Sequence, residues 1–115
     1  MIEPRLLCKK HLIGEHGELH KFRSSFEKGY KIDKRVCPVV QIEPLKMKER
    51  HDQLVEEMKI RGYNHKSSYE QPGLSKYNPD QLNVKADLEY NIKDLAARCE
   101  VCRKILEYNW VIIQT

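Results

Sequence analysis

The stretch PLKMKERHDQLVEEMKIRG, Pro44–Gly62, sets Met47, His51, Leu54, Val55 and Met58 three and four residues apart. This is the period of a helix with one apolar face, since 3.6 residues per turn bring every third or fourth side chain to the same side. Pro44 suits the first turn, where a missing N–H is not needed. Gly62 suits the exit, with Lys59 and Arg61 in the last turn facing the negative end of the helix dipole. Such a helix cannot bury its apolar face alone, so the rest of the chain must supply partners.

Upstream, Glu3 and Pro4 form a helix start and Gly29 a helix stop, predicting a first helix that reaches Lys28. Downstream, Leu88, Ile92, Leu95, Cys99, Cys102 and Leu106 are spaced four, three, four, three, four, which predicts a third helix with one continuous apolar stripe. Between the first two helices, YKIDKRVCPVVQIEP mixes β-branched residues with two prolines and is expected to be an extended connection with room for a short strand. The polar segment Tyr63–Asn83, punctuated by Pro72-Gly73 and Asn78-Pro79, is expected to be a long loop. The tail EYNWVIIQT, residues 107–115, should leave the helix, and its Tyr108 and Trp110 suit either core packing or base stacking. The expected fold is all-α: a compact single-domain bundle of about three main helices with long loops, spanning residues 1–115.

Size and charge narrow the function classes. At 115 residues the chain has material for one modest core. Its 21 Lys and Arg against 17 Asp and Glu give a formal charge of +4, a mild excess that suits a polyanionic partner without demanding one. No apolar run approaches the roughly 20 residues that span a bilayer, and the first residues lack a basic-then-apolar signal layout. No membrane partner is expected, and the expected location is the cytoplasm. There Cys8, Cys37, Cys99 and Cys102 would be reduced thiols, which argues against a disulfide scaffold.

The densest chemistry lies in HLIGEHGELH, His11–His20, with three imidazoles and two carboxylates in ten residues. On a helical wheel Cys8, Leu12, Leu19, Phe22 and Phe26 mark the core face, and Glu15 falls inside that stripe. His11 and Glu18 share one shoulder, while His16 and His20 share the other. Ligands on opposite shoulders cannot meet at one ion bound at about 2 Å, and HGELH is not H-E-x-x-H. His16 and His20 could still share a metal, but solvated or partner-facing histidines are the plainer reading, and no metal is expected. Glu15 needs a partner, either a basic residue from another helix or a functional one. On the outward side, Gly14 and Gly17 lie with Lys10 and Lys21. Two helical glycines cost roughly 1 kcal/mol each, which hints at close approach by a backbone or a phosphate.

Cys99-x-x-Cys102 lies on the apolar stripe of the third helix, where free cysteine serves as a small hydrophobe. A site from Cys8, Cys99 and Cys102 with Cys37 as fourth ligand is geometrically conceivable, though the spacing is not that of a zinc ribbon. RGYNHKSS, Arg61–Ser68, could hold phosphates through Arg61, Lys66 and Ser67 and offer Tyr63 or His65 to a base. It could equally be a helix cap followed by a polar loop.

Two blocks, LCKKHLIGEHGELH (Leu7–His20) and RHDQLVEEMKIRGYNHKS (Arg50–Ser67), together with their separation, resemble the pyrimidine-dimer DNA glycosylase family of the phage endonuclease V type. The resemblance covers about the first 70 residues and is weak beyond them. It implies a compact, mainly helical enzyme that flips a nucleotide out of damaged double-stranded DNA. In that chemistry an N-terminal α-amine attacks the sugar C1′, and the resulting imine undergoes β-elimination, assisted by a glutamate of the first helix. By motif position the glutamate is Glu18, His11 is the family's helix histidine, Lys21 a phosphate-contacting base, and Gly17 stands at the family's helix arginine. Ile2 predicts that Met1 is retained, so its amine is the expected nucleophile. Lys10, Arg61, Tyr63, His65 and Lys66 complete the expected DNA-binding set. No cofactor is implied, and a monomer is expected, in a host cell's cytoplasm if phage-encoded. The rivals are a non-enzymatic relative that binds nucleic acid or a host protein, and a small zinc-binding structural protein built on the cysteines.

Overall fold

The computed structural model describes residues 1–32, 40–65 and 68–109, and among them it is all-α, with no strand. The helices are α1 (Lys9–Glu27), α2 (Met47–Ile60), α3 (Pro79–Leu82), α4 (Leu88–Arg98) and α5 (Glu100–Tyr108). Single 3-10 turns, Pro4–Leu6 and Pro44–Lys46, precede α1 and α2.

The first helix starts later than expected. Pro4 does open a helical turn, but Leu7 and Cys8 are extended, and α1 begins at Lys9 with Cys8 as its N-cap. Leu12, Leu19 and Phe26 form its buried face, with Phe22 packed at the edge. Gly29 ends it at φ +73°, and Gly62 ends α2 in the same way at φ +80°. Left-handed backbone of this kind is open to glycine at little steric cost. In α2 Met47, His51, Leu54, Val55 and Met58 are all buried, as the period requires. The α2 face packs on α1, and the N-terminal 3-10 turn packs against both α2 and α5.

The predicted third helix is two helices. Cys99 is extended (φ −135°, ψ 112°), closes α4 and caps α5, its Sγ accepting the Cys102 N–H at 3.4 Å. The stripe is therefore broken: Leu95, Cys102 and Leu106 are buried, but Leu88 is exposed. α5 also runs through Tyr108, two residues into the expected non-helical tail, and Tyr108 is exposed. Residues 110–115, with Trp110, lie outside the described residues, as do residues 33–39 of the Tyr30–Pro44 connection, with Cys37; the described part of that connection contains no strand.

The Tyr63–Asn83 segment is not structureless. Asn78 and Gln81 form a reciprocal capping box that starts α3. Buried Tyr69 donates its hydroxyl to the Leu19 carbonyl at 3.0 Å, and Gln71 donates to the Pro44 carbonyl at 2.7 Å. Tyr77 donates to the Tyr30 carbonyl, which pins the segment to the end of α1.

Candidate active site

One face of α1 borders a pocket of about 460 Å³ lined by His11, Gly14, Glu15 and Glu18. Met1 and Ile2 form a second side, Gln41 and Arg50 a third, and Tyr90, Asn91, Asp94, Leu95 and Arg98 of α4 a fourth. His11 and Glu18, assigned to one shoulder of the wheel, thus open into one cavity with Met1. Met1 borders the same cavity as α1, with the 3-10 turn Pro4–Leu6 lying between them in the chain. Leu6 and Leu7 of that segment are buried, and Arg61 donates to the carbonyls of Pro4, Arg5 and Leu7.

Glu15 has found the basic partner that its core position demanded. Arg50 of α2 holds it through two bonds, Nε to Oε2 at 2.5 Å and Nη2 to Oε1 at 2.9 Å. Arg50 is the one charged side chain within the buried face of α2, and the apolar period alone did not single it out. Asp94 is likewise paired, with Arg98 at 2.9 Å. Glu18, exposed and lining the same pocket, has no ion pair among the described residues.

The remaining expected DNA-binding residues are dispersed. Lys10 and Lys21 are exposed on α1. Tyr63 is half-buried with the Lys9 ammonium 5.4 Å above its ring, and Lys66 lies outside the described residues. Arg61 spends its donors on Glu57 and on the three N-terminal carbonyls, which makes it a clamp on the chain start. A Cβ added at Gly14 or Gly17 would meet nothing within 4 Å, so among the described residues no backbone makes the close approach these glycines suggested. Gly14 instead leaves space at the pocket wall.

Two clusters of metal-ligating side chains flank this site. In the first, Cys8, His11, Cys99 and Cys102 bring their ligand atoms within 4.8 Å of one another. Burial, with Arg98 and Lys10 nearby, lowers the His11 pKa. Burial pushes the Cys102 thiol up to about 12, while the Cys102 N–H bond lowers that of Cys99. In the second, His16, His20, His51 and His65 converge equally closely. Burial, reinforced by the neighbouring imidazoles, lowers His16 to about 4, and burial leads the lowering of His20 and His65 as well. The wheel divided the HLIGEHGELH histidines correctly between these sites. It could not show that His51 and His65 would join one of them, nor that the chain would break at Cys99 and that Cys99 and Cys102 would lie beside Cys8. One signal was present: Cys8-x-x-His11 and Cys99-x-x-Cys102 are two close pairs.

Residues 1–71 match the family model for pyrimidine dimer DNA glycosylase. The match spans more than half of the chain, which belongs to this family. No curated protein and no solved structure matches it.

Proposed function

We propose that this member of the pyrimidine dimer DNA glycosylase family, acting as one domain over residues 1–115, removes a damaged base from duplex DNA and cleaves the resulting abasic strand. The observation that carries this reading is the shared pocket: Met1, the expected source of the nucleophilic amine, and Glu18, which has no ion pair among the described residues, line the same cavity.

An α-amine is partly neutral near pH 7, so it can act as a nucleophile without a buried lysine. Its nitrogen forms a bond to C1′, and the glycosidic bond breaks, its electron pair leaving with the base. The nitrogen then loses its proton and the sugar ring opens, giving an imine. Removal of a C2′ proton expels the 3′ phosphate, and water releases the enzyme from the imine. Glu18 is suited to two parts of this sequence, carrying protons to and from the sugar and stabilising the cationic imine. The damaged nucleotide must leave the stack to enter the pocket, and a poorly stacked lesion costs less to extrude. Lys10 and Lys21, exposed on the same helix as Glu18, are suited to phosphate contacts. None of these steps calls for a cofactor.

The test is borohydride trapping on duplex DNA carrying one abasic site, with Glu18→Gln alongside and the adduct mapped by peptide mass. The expected result is a covalent adduct at the terminal amine and strand cleavage, with cleavage reduced by at least about a hundredfold in Glu18→Gln. Folded protein that gives neither adduct nor cleavage would overturn the lyase reading and leave a binding protein that has kept the family's shape.

A further inference from the structure

We propose that Cys8, His11, Cys99 and Cys102 form a tetrahedral site for a structural zinc ion that ties the start of the chain to its C-terminal helix pair. The distances are those of ligands around an ion. The Cys8 and Cys99 sulfurs are 3.9 Å apart, and His11 Nδ1 lies 3.2 Å from the Cys8 Sγ and 3.5 Å from the Cys102 Sγ. With Zn–S near 2.3 Å and Zn–N near 2.0 Å, a regular tetrahedron has S–S edges of roughly 3.8 Å and S–N edges of roughly 3.5 Å.

The surroundings also suit thiolates. The Cys8 N–H donates to the Cys102 Sγ at 3.3 Å, and the Cys102 N–H to the Cys99 Sγ at 3.4 Å. Amide donors of this kind orient and stabilise anionic sulfur ligands. Three thiols serving only as small hydrophobes would not require the extended Cys99 that interrupts α4 and α5, where neither proline nor glycine stands at the break. Liganding by both cysteines of the C-x-x-C pair gives the break a role, since the extended Cys99 leaves its sulfur to accept the Cys102 N–H beside Cys8. Cys99 and Cys102 lie beyond the residues 1–71 that carry the family match. Zinc would thus fasten the α4 wall of the pocket to its α1 wall, His11 lining the pocket as well as the metal site.

The imidazole cluster independently supports a second metal. His16 Nε2 is 3.2 Å from His51 Nε2 and 3.0 Å from His65 Nε2. A neutral imidazole nitrogen has one proton or one lone pair, so it cannot make two good N–H···N bonds at once. An ion among them resolves the conflict, since tetrahedral N–N edges are roughly 3.3 Å. Behind the cluster His51 Nδ1 lies 3.1 Å from Asp52 Oδ1, the carboxylate-on-histidine arrangement that sets a ligand's tautomer. Imidazole-only ligation fits a borderline divalent cation such as zinc, nickel or copper.

The test uses full-length, untagged protein purified without chelators. Metal analysis should return two ions per chain, one of them zinc. Cys99→Ser should lose the zinc, and His65→Ala the other ion, with helicity checked by circular dichroism. On wild-type protein, X-ray absorption at the zinc edge should show three sulfur ligands and one nitrogen. Cobalt added to demetallated protein should give the thiolate charge-transfer band of a tetrahedral sulfur site. Wild-type protein that neither retains zinc nor gives the sulfur-to-cobalt band would overturn the first site. A metal content unchanged in folded His65→Ala would overturn the second. Both readouts are independent of activity on DNA.

Discussion

Replacing Glu15 with alanine leaves the Arg50 guanidinium in the α1–α2 interface without its carboxylate. Arg50 has 7% of its side chain exposed and Glu15 23%, so the arginine cannot swing into water without leaving the core, whereas the glutamate edge is partly wetted by the pocket. Breaking a fully buried ion pair costs about 3–5 kcal/mol, because the surviving charge keeps its desolvation penalty. Solvent at the Glu15 side reduces this to about 2–4 kcal/mol, roughly a 30- to 1,000-fold drop in the folding constant. Urea unfolding at pH 7, followed by circular dichroism with metal content held constant, should show the midpoint falling by about 1–2 M at an m-value of about 2 kcal/mol/M. Replacing both residues with methionine removes both charges and fills similar volume, so the double variant should recover most of the loss. If Glu15→Ala costs under about 1 kcal/mol, or if the double variant loses as much as the single changes summed, the pair is not the coupled structural element described here.

Glu18→Gln, by contrast, should leave the urea midpoint within about 0.5 kcal/mol of wild type, because Glu18 lines the pocket and holds no ion pair among the described residues. A large shift in its midpoint would assign Glu18 to structure. Phe26 is 1% exposed, so Phe26→Ala should cost about 3–5 kcal/mol in the same assay. The Tyr69 hydroxyl is pushed by burial from 10 to about 12, which favours the neutral form in the folded state. Its contribution is therefore complete below pH 10 and is lost as pH rises through about 12. Tyr69→Phe should lower stability by about 1 kcal/mol at neutral pH and flatten the decline in that alkaline window, as read from thermal melts across pH.

The legible parts of the molecule are those governed by neighbours along the chain. The three- and four-residue period of Met47–Met58 assigned α2 and its buried face, and the glycines at 29 and 62 ended helices where left-handed backbone was needed. The wheel separated His11 and Glu18 from His16 and His20, since helical angle depends only on sequence spacing. That same local logic failed at Cys99. Its 3.6-residue stripe was continuous, yet the chain leaves the helix there, at a residue whose sulfur lies 3.9 Å from that of Cys8, 91 residues away.

Tertiary structure alone decided the partners. Glu15 could be recognised as needing a cation, but Arg50 was identified only when α1 packed on α2. Four histidines from α1, α2 and the segment after it converge, and two pairs from opposite ends of the chain form the sulfur-rich cluster. Met1 and Glu18 line one pocket, and the N-terminal turn between them is held against α2 and α5. Periodicity records which way a side chain points from its own helix; it carries no distance to a side chain on another element, and bond lengths and charge pairing depend on that distance.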